Sequence, residues 1–536
     1  MVGLSAVAGA ALVAGVVVGA TSSSSSPEEE LARRYADAWE RNDYAAMYSL
    51  ISPSDRRSVS RSAFEDAYRD AAVTATLIGV TVGDPPRSEA GDVVLPVTAR
   101  TRIFRPIRAR VPLTFTGEGE KARINWAPQL AFPGLAAGER LSRRARLAPR
   151  AAILARDGTP LARGPDRASS LGGLDSSIVG ELGTPPPAQR TALQALGYPK
   201  DALVGITGLE RVFERRVAGT PGGTLRAGRR VLARARPERG QPARATIDPT
   251  LQTASVNALG GQLGGIAVLD PRNGEILSLA GIALDGLQPP GSTMKVITVT
   301  AALEERLVTF RSRFPVVTSA NVGGQTISNA SGEACGGDLR EVFAESCNSV
   351  FAPLGVKLGA RKLVRAARRF GFDEPTGIPG AAVNTIPPAR EMPLDAEVGS
   401  SAIGQGEVLT TALGLASMVQ AIANDGLRLR PVLVKGQRAK AVRATSRRIA
   451  KKVSDLMLGV VAFGTGTEAA IPGVKVAGKT GTAELGGDLD EDAWFVAFAP
   501  ARRPELAIGV LVVQAGFGGD VAAPIAKQVL EVGLKR

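Results

Sequence analysis

The 536-residue sequence contains no histidine. A Ser-His-Asp or Cys-His catalytic arrangement is therefore impossible, as is a zinc site that depends on imidazole ligands. An enzyme built from this chain must take its base from lysine, a carboxylate or tyrosine. Serine–lysine chemistry is one of the few routes that remain.

Aromatic residues make up only 4% of the chain, although its formal net charge is +14. Nucleic-acid-binding surfaces usually combine basic with aromatic side chains, and no nucleic-acid-binding motif is present. We therefore expect no nucleic-acid partner. The arginine-rich segment between Arg140 and Arg244 is interpreted as a surface that faces an anionic wall polymer or lipid, with a plain solvated surface as the alternative.

Residues 2–20 carry no charge and consist mainly of Ala, Val, Gly and Leu. A segment of this length can just cross a bilayer as a helix, which predicts an uncleaved membrane anchor. A cleavable signal peptide and a buried core helix are the alternatives. Either of the first two interpretations places the rest of the chain on the extracytoplasmic side, behind a Ser-rich linker that ends at residue 26.

The length predicts two to four domains. Residues 27–135 show helical patterns at 28–49, with a break at Asn42-Asp43, and at 62–71. Strand-like runs then begin at residue 72. This order predicts a small α+β domain without a catalytic constellation. Residues 136–245 are basic and irregular, and we interpret them as a linker or pedestal domain. Its predicted elements are a hairpin at 151–162 and short helices at 189–197 and 200–218.

Residues 246–536 form the third predicted domain, which is α+β with an antiparallel sheet. The predicted strands are 264–270, 275–280, 474–484, 494–499 and 506–514. Helices are predicted to begin at 246 and at 292, and to span 410–424 and 522–534.

The third domain contains Ser292 and Lys295, in a Pro-Pro-Gly-Ser-Thr-Met-Lys run at the start of a predicted helix. One helical turn separates them, so they share a face. A serine needs an adjacent base to act as a nucleophile. A lysine can supply that base when burial or a neighbouring cation disfavours its charge. An isolated pair of this kind is more often an N-cap serine with a solvated lysine.

Two further motifs follow in order, Ser346-Cys347-Asn348 and Lys479-Thr480-Gly481-Thr482. Ser-x-x-Lys, Ser-x-Asn and Lys-Thr-Gly together are typical of serine β-lactamases and penicillin-binding proteins. The chain resembles a class B, monofunctional, high-molecular-mass penicillin-binding protein. Four more segments share the resemblance: 268–277, 373–380, 401–406 and 494–500.

This resemblance implies a penicillin-binding, serine β-lactamase-like transpeptidase fold over 246–536, with helices on both sides of the sheet. Residues 27–135 resemble the cone-shaped, nuclear-transport-factor-like domain of methicillin-resistance-type members, through 124–126 and 132–135. Residues 136–245 resemble the family's pedestal or dimerisation domain. The sequence signature of that family domain is only partly preserved here, in Arg150-Ala151 and in 155–158.

The reaction that the resemblance implies is peptidoglycan D,D-transpeptidation. Ser292 attacks the penultimate carbonyl of a D-alanyl-D-alanine stem peptide, D-alanine leaves, and an amine of a second stem peptide takes the acyl group. β-Lactams acylate the same serine. The implied partners are stem peptides, β-lactams, the cytoplasmic membrane and a membrane glycosyltransferase, and no cofactor or metal is implied.

The implied roles divide between proton transfer and substrate binding. Lys295 is the base for Ser292, Ser346 relays the proton to the leaving amine beside Lys479, and Asn348 holds Lys295 and the substrate backbone. Thr480, Gly481 and Thr482 form the substrate-binding strand, whose two threonines bind the terminal carboxylate. The backbone N–H groups of Ser292 and Thr482 form the oxyanion hole.

Three alternatives to a transpeptidase were weighed. A β-lactamase needs a carboxylate that activates water for deacylation, and no glutamate between Ser346 and Lys479 stands in a recognisable context. A catalytically silent division scaffold should have lost a motif, and all three are present. A D,D-carboxypeptidase shares every residue and differs only in the acceptor, so it stays open.

The only two cysteines are Cys335 and Cys347. Cys347 is not expected to be a nucleophile, because no histidine can activate it. An even, minimal cysteine count in an oxidising compartment suits one disulfide, and two buried thiols are the alternative.

Overall fold

The computed structural model describes residues 25–84, 92–173, 176–486 and 489–535. They form two compact units. The first comprises the described residues up to Arg146 together with 188–199 and 221–236, and the second comprises 147–187, 200–220 and the chain from 237 onward. The predicted anchor at residues 2–20 lies outside the described residues. Among those described, no helix has both the length and the apolar character that crossing a bilayer requires.

The first unit begins with four helices. They are Pro27–Glu40, Tyr44–Ser49, Pro53–Ser58 and Arg61–Ala75. The predicted break is present, since Asn42 has a positive φ and Asp43 caps the second helix. The third helix was not predicted. The strand was predicted to begin at residue 72, and this start was wrong. The fourth helix continues to Ala75, with Ala71 and Ala75 buried, and Thr76 caps its end with a left-handed φ.

Two antiparallel three-stranded sheets complete the first unit. In spatial order, one contains Leu77–Val82, Val93–Thr101 and Ile107–Leu113, and the other Arg230–Ala235, Gly222–Ala227 and Leu141–Arg146. A short pair, Phe115–Thr116 and Arg123–Ile124, lies beside them. The core is aromatic at its centre, where Trp39 and Phe64 pack around the buried ring of Tyr68. The first domain is thus α+β, as predicted.

The second unit begins with the predicted hairpin, in which Ile153–Leu154 pairs with Pro160–Ala162. The strand Ala243–Arg244 pairs in parallel with its first strand. The helix predicted at 200–218 was wrong as a continuous element. A strand, Val204–Gly205, precedes two short helices, Gly208–Val212 and Glu214–Val217. Gly208, with a left-handed φ of 53°, begins the first helix, and Phe213, with φ −100° and ψ 5°, separates the two. The other elements here are Ser176–Val179 and Leu182–Gly183, whereas the helix Pro187–Ala195 belongs to the first unit from residue 188 onward.

The segment 136–245, predicted as a separate linking domain, is divided between the two units. The division follows from the hairpin Gly222–Ala227 and Arg230–Ala235, which pairs with Leu141–Arg146 in the first unit. Arginines in both strands of this hairpin obscure the alternation of apolar and polar residues that would predict it from sequence.

A five-stranded antiparallel sheet organises the rest of the second unit and confirms the predicted fold. Its spatial order is Ile276–Gly281, Gly264–Leu269, Leu506–Val512, Asp492–Ala499 and Ala477–Ala483. Each strand was predicted to within a few residues. Alternate residues face opposite sides: Ile266 and Val268 belong to one core, and Ala267 and Leu269 to the other.

Helices cover both faces of this sheet. Pro249–Leu259 and Ala522–Leu534 pack on one face, and Ala412–Ala423 packs on the other. The remaining helices are Lys295–Glu304, Leu339–Ala344, Asn348–Leu358, Ala360–Arg369, Asp395–Ala402 and Arg447–Ala462. Three short antiparallel strand pairs complete the unit: Arg313–Val317 with Cys335–Asp338, Ser319–Val322 with Gln325–Ser328, and Leu427–Leu429 with Ala441–Arg443.

Helix and sheet approach each other closely at Gly509. A Cβ there would lie 2.4 Å from the carbonyl oxygen of Ala412 and 2.9 Å from the nitrogen of Ala416, both backbone atoms. We expect Gly509→Ala to destabilise the second unit by about 1–3 kcal/mol, as overpacking of a core does. Thermal and denaturant unfolding would measure it.

Gly79→Ala is the matched control, because this strand residue would meet only the mobile end of Arg100, at 3.2 Å. Equal melting temperatures for the two variants would show that the helix can move away from the sheet.

Candidate active site

Ser292 lies in a tight 3-10 turn, Gly291–Met294, that leads into the helix Lys295–Glu304. The prediction of an α-helix already at Ser292 was therefore wrong by one turn. The turn requires glycine at 291, where φ is 51° and a Cβ would lie 2.4 Å from the carbonyl oxygen of Thr482. The turn that carries Ser292 therefore contacts the edge strand of the sheet through its backbone.

The edge strand Ala477–Ala483 also leaves no room for a side chain where it contacts the segment before Ser292. A Cβ at Gly481 would lie 2.7 Å from the carbonyl oxygen of Pro290. The neighbouring strand adds a tether, because Trp494 donates its indole N–H to Pro289 at 2.8 Å. The Lys-Thr-Gly motif therefore needs its glycine for contact with the Ser292 turn.

The Ser-x-Asn motif occupies the connection between the helices Leu339–Ala344 and Asn348–Leu358. Ser346 takes a left-handed φ of 63°, which is unusual for a residue with a Cβ and marks a position fixed by its surroundings. Asn348 donates from Nδ2 to the carbonyl of Ser328 at 2.9 Å. That bond turns its amide oxygen toward Lys295.

Lys295 is fully buried and links all parts of this arrangement. Its Nζ lies 2.9 Å from Ser292 Oγ, 2.6 Å from the carbonyl oxygen of Ser346 and 2.6 Å from Asn348 Oδ1. Ser346 Oγ is slightly farther away, at 3.2 Å. The two carbonyl groups can only accept hydrogen bonds, whereas the serine hydroxyls can also donate.

Lys479, the second buried lysine of the site, donates to Ser346 Oγ at 2.8 Å and to the Thr480 carbonyl at 3.1 Å. The Ser346 hydroxyl thus bridges two amines. Burial lowers the pKa of Lys295 well below its ordinary value, and the charge of Lys479 lowers it further. Burial lowers the pKa of Lys479 to about 7, against the opposing field of Glu345.

The candidate groups open into a cleft of about 450 Å³. Ser292, Ser346, Asn348, Thr480 and Thr482 all line it, whereas both lysines lie beneath its surface. The structure therefore brings all the sequence-predicted polar side chains together. Their roles, and the oxyanion hole at the Ser292 and Thr482 amides, stay predictions.

Sequence reasoning missed two residues that belong to this cleft. Thr465 shares a 2.6 Å hydrogen bond with the hydroxyl of Thr480 and so orients it. Glu345 lines the cleft directly before Ser346 and acts on the pKa of Lys479. Thr465 lies outside every motif, so no sequence signal marked it, whereas the position of Glu345 beside Ser346 could have done so.

The structure joins Cys335 and Cys347 in a disulfide, so the described residues contain no free thiol. The bridge connects the strand Cys335–Asp338 to the residue between Ser346 and Asn348. It therefore fixes the centre of the Ser-x-Asn connection. Among the described residues, no group of acidic or cysteine side chains is arranged to hold a metal ion.

We predict that reduction of the disulfide slows acylation of Ser292 by a fluorescent penicillin more than it lowers the melting temperature. Opening a loop of this length costs about 3 kcal/mol of stability in the chain-entropy model. The larger effect is expected on the placement of Ser346 and Asn348. Acylation rates and melting curves with and without reductant would measure both.

Thiol counting on denatured, unreduced protein supplies the control for this experiment. Two free thiols in exported protein would contradict the prediction, and so would an acylation rate that reductant leaves unchanged.

Comparison with known proteins agrees with this geometry. Residues 264–531 match the penicillin-binding protein transpeptidase domain, and residues 26–139 match the NTF2-like N-terminal transpeptidase domain. Among similar proteins is the peptidoglycan D,D-transpeptidase PbpA of Mycobacterium tuberculosis, 33% identical over 56% of this chain and 74% of that protein. PbpA of Mycolicibacterium smegmatis is 32% identical over 64% of this chain and 82% of that protein.

Solved structures include a penicillin G acyl-enzyme complex of penicillin-binding protein A from M. tuberculosis. It superposes with a TM-score of 0.59 at 28% identity, over 72% of this chain and 99% of that one. The three motifs, the antiparallel sheet and the matched domains lead to one conclusion: the chain belongs to the class B penicillin-binding proteins, with an NTF2-like domain before its transpeptidase domain.

Proposed function

We propose that the chain is a serine-type peptidoglycan D,D-transpeptidase that β-lactams inhibit by acylating Ser292. The observation that carries the proposal is the 2.9 Å contact between Ser292 Oγ and the Nζ of Lys295, a fully buried amine with a lowered pKa. A serine hydroxyl becomes a nucleophile when a neutral base lies within hydrogen-bonding distance.

The first step is proton transfer to Lys295. A neutral amine has two N–H groups and one lone pair. The carbonyl oxygens of Ser346 and Asn348 accept the two N–H groups, at 2.6 Å each. The lone pair is then left for the hydroxyl of Ser292, which gives up its proton as Oγ bonds to the penultimate D-alanine carbonyl carbon.

The second step is departure of the terminal D-alanine. The carbon–nitrogen bond breaks, and the leaving nitrogen needs the proton that Lys295 accepted. Ser346 Oγ lies 3.2 Å from Lys295 and 2.8 Å from Lys479, so it can pass a proton to the leaving amine while Lys479 stabilises its hydroxyl. The acceptor amine later attacks the ester and returns a proton to the site, which restores Ser292.

Binding of the donor end follows from charge. The stem peptide ends in a carboxylate, and the hydroxyls of Thr480 and Thr482 face the cleft above Lys479. A hydroxyl pair over a buried cation favours an anion. The backbone amides of Ser292 and Thr482 are proposed to hold the oxyanion of the tetrahedral intermediate, where a lost donor typically costs about 10²–10³ in rate.

A carboxylate that activates water would instead produce a β-lactamase. The described carboxylates that line the cleft are Glu333, Glu345, Glu484, Glu491 and Asp520. None lies in the chain between Ser346 and Lys479, in agreement with the sequence argument. We therefore propose a long-lived acyl-enzyme with β-lactams.

The proposed substrate lies outside the cytoplasmic membrane, so the catalytic domain is extracytoplasmic. We further propose that residues 2–20 anchor the chain and that a membrane glycosyltransferase supplies the glycan strands that it cross-links. These two points rest on the composition of the N-terminal segment and on the family resemblance.

We predict that the full chain joins a D-alanyl-D-alanine donor peptide to an amine acceptor and becomes labelled by fluorescent penicillin at Ser292. Ser292→Ala should abolish both reactions while the melting temperature stays near wild type, because the hydroxyl is half-buried and supports no core packing. Mass spectrometry of products and of the labelled peptide would measure both.

The products also separate the alternatives. Hydrolysed donor without cross-linked product would indicate a D,D-carboxypeptidase, and sustained penicillin turnover would indicate a β-lactamase. Labelling that survives Ser292→Ala would refute the assignment of the nucleophile.

We predict that Lys295→Arg lowers the acylation rate by orders of magnitude, because a guanidinium keeps its proton at neutral pH. The measurement is the second-order rate constant with a chromogenic β-lactam. Lys362→Arg is the matched control, since this exposed lysine only pairs with Glu305. An unchanged rate in Lys295→Arg would show that Lys295 is not the base for Ser292.

We predict that the acylation rate constant falls as pH rises through about 7, the pKa of Lys479. Below that pH Lys479 is cationic and favours the carboxylate of the β-lactam, and above it the charge is lost. The rate constant for free enzyme reports this titration. In Lys479→Arg the cation persists, so the decline should move to much higher pH.

If the acylation rate constant of Lys479→Arg falls with the same pH midpoint as that of wild type, the titrating group is not Lys479. Melting curves of both proteins across the pH range would separate this effect from unfolding.

A further inference from the structure

A second, basic groove of about 800 Å³ lies on the transpeptidase unit. We call it the basic groove and define it by four cations: Arg447, Lys451, Lys475 and Arg502. All four are exposed. None of them lines the cleft that contains Ser292. The mechanism above gives these residues no role.

The four cations come from separate parts of the fold. Arg447 and Lys451 occupy successive turns of the helix Arg447–Ala462, whereas Lys475 precedes the edge strand and Arg502 follows the neighbouring one. A hydrogen bond from the Ala501 nitrogen to the Lys475 carbonyl, at 2.8 Å, joins the last two segments. The backbone therefore holds the segments that carry Lys475 and Arg502 together before any ligand arrives.

One of these cations, Arg447, stands where a helix disfavours it. The first turn of Arg447–Ala462 carries basic side chains and no acidic one. A helix N-terminus has partial positive charge, so cations there reduce helix stability. An anion in the groove would offset the charge of Arg447 at this helix end.

The groove contains few opposing charges. Asp425 pairs with Arg447 at 3.3 Å, and Asp455 also lines the groove. Within the described residues, no carboxylate lies within ion-pair distance of Lys451, Lys475 or Arg502. Four cations thus face two carboxylates, and three of the cations are available to an external anion.

The helix Arg447–Ala462 runs from the groove to the cleft. The sixteen residues of Arg447–Ala462 span about 24 Å at the standard helical rise. Arg447 and Lys451 stand at the start of this helix, whereas Thr465, three residues beyond its end, contacts Thr480 in the cleft. A ligand in the groove can therefore be bound together with a peptide in the cleft.

We propose that the basic groove binds phosphate groups of an extended, soluble phosphodiester-type polymer. Guanidinium and ammonium groups bind phosphate oxygens through charge-assisted hydrogen bonds. The cations line an open groove instead of closing around one group, and its volume is nearly twice that of the cleft, which fits successive phosphates along a chain. Such a site would hold the enzyme beside an anionic polymer during cross-linking.

The test measures binding of a short inorganic polyphosphate to the full-length protein in detergent micelles at several salt concentrations. The variant is Lys451→Gln, Lys475→Gln and Arg502→Gln combined. The matched control replaces three exposed arginines away from the groove, Arg311, Arg361 and Arg365, by Gln, so the change in net charge is the same. A second arm measures binding to vesicles that contain an anionic phospholipid.

We expect the groove variant to bind polyphosphate more than about tenfold more weakly and with a smaller salt dependence, because phosphate contacts release counterions. The control variant should stay near wild type, and both variants should keep the wild-type penicillin acylation rate. Equal weakening in the two variants would overturn the proposal, since it would show only the effect of net charge. Absence of polyphosphate binding by wild type would also overturn it, whether or not the groove variant loses vesicle binding.

Discussion

Burial of the Lys295 side chain imposes the main energetic constraint on this structure. An ammonium group loses its hydration when it is buried, which favours the neutral amine and lowers the pKa. The group is nevertheless surrounded by hydrogen-bonding partners from two separate motifs, Ser292 on one side and Ser346 with Asn348 on the other. The same buried position that destabilises its charge therefore also links the two motifs.

The fold supports this lysine through contacts that only particular residues allow. Glycines at 291 and 481 allow the backbone of the Ser292 turn to contact the backbone of the edge strand Ala477–Ala483. Ser346 keeps a left-handed conformation between two helices, and the bridge from Cys335 to Cys347 holds the next residue in place. The strain at Ser346 is sustained because the packing around it leaves no alternative. The positions of the side chains that line the cleft thus depend on rigid elements.

The sequence predicted the sheet and the motif residues well, because both depend on local signals. Short apolar runs and turn residues marked the five strands of the central sheet, and three short motifs marked Ser292, Ser346 and Lys479. The errors fall where local signals compete with packing. The fourth helix extends to Ala75 because its apolar face is buried, and Phe213 separates two short helices where one was predicted. Thr465 could not be found from sequence, since its role arises only from the fold that brings it to Thr480.

The central claim is that Lys295 is a neutral amine in the resting enzyme at neutral pH. Its most direct test is a ¹⁵N NMR titration of protein labelled at the lysine side-chain nitrogens, with the Lys295 signal assigned by its absence in Lys295→Arg. The account predicts a signal at the neutral-amine position at pH 7 that moves to the ammonium position as the pH is lowered, because burial lowers the pKa of this amine. An ammonium signal that persists through pH 7 and above would contradict it.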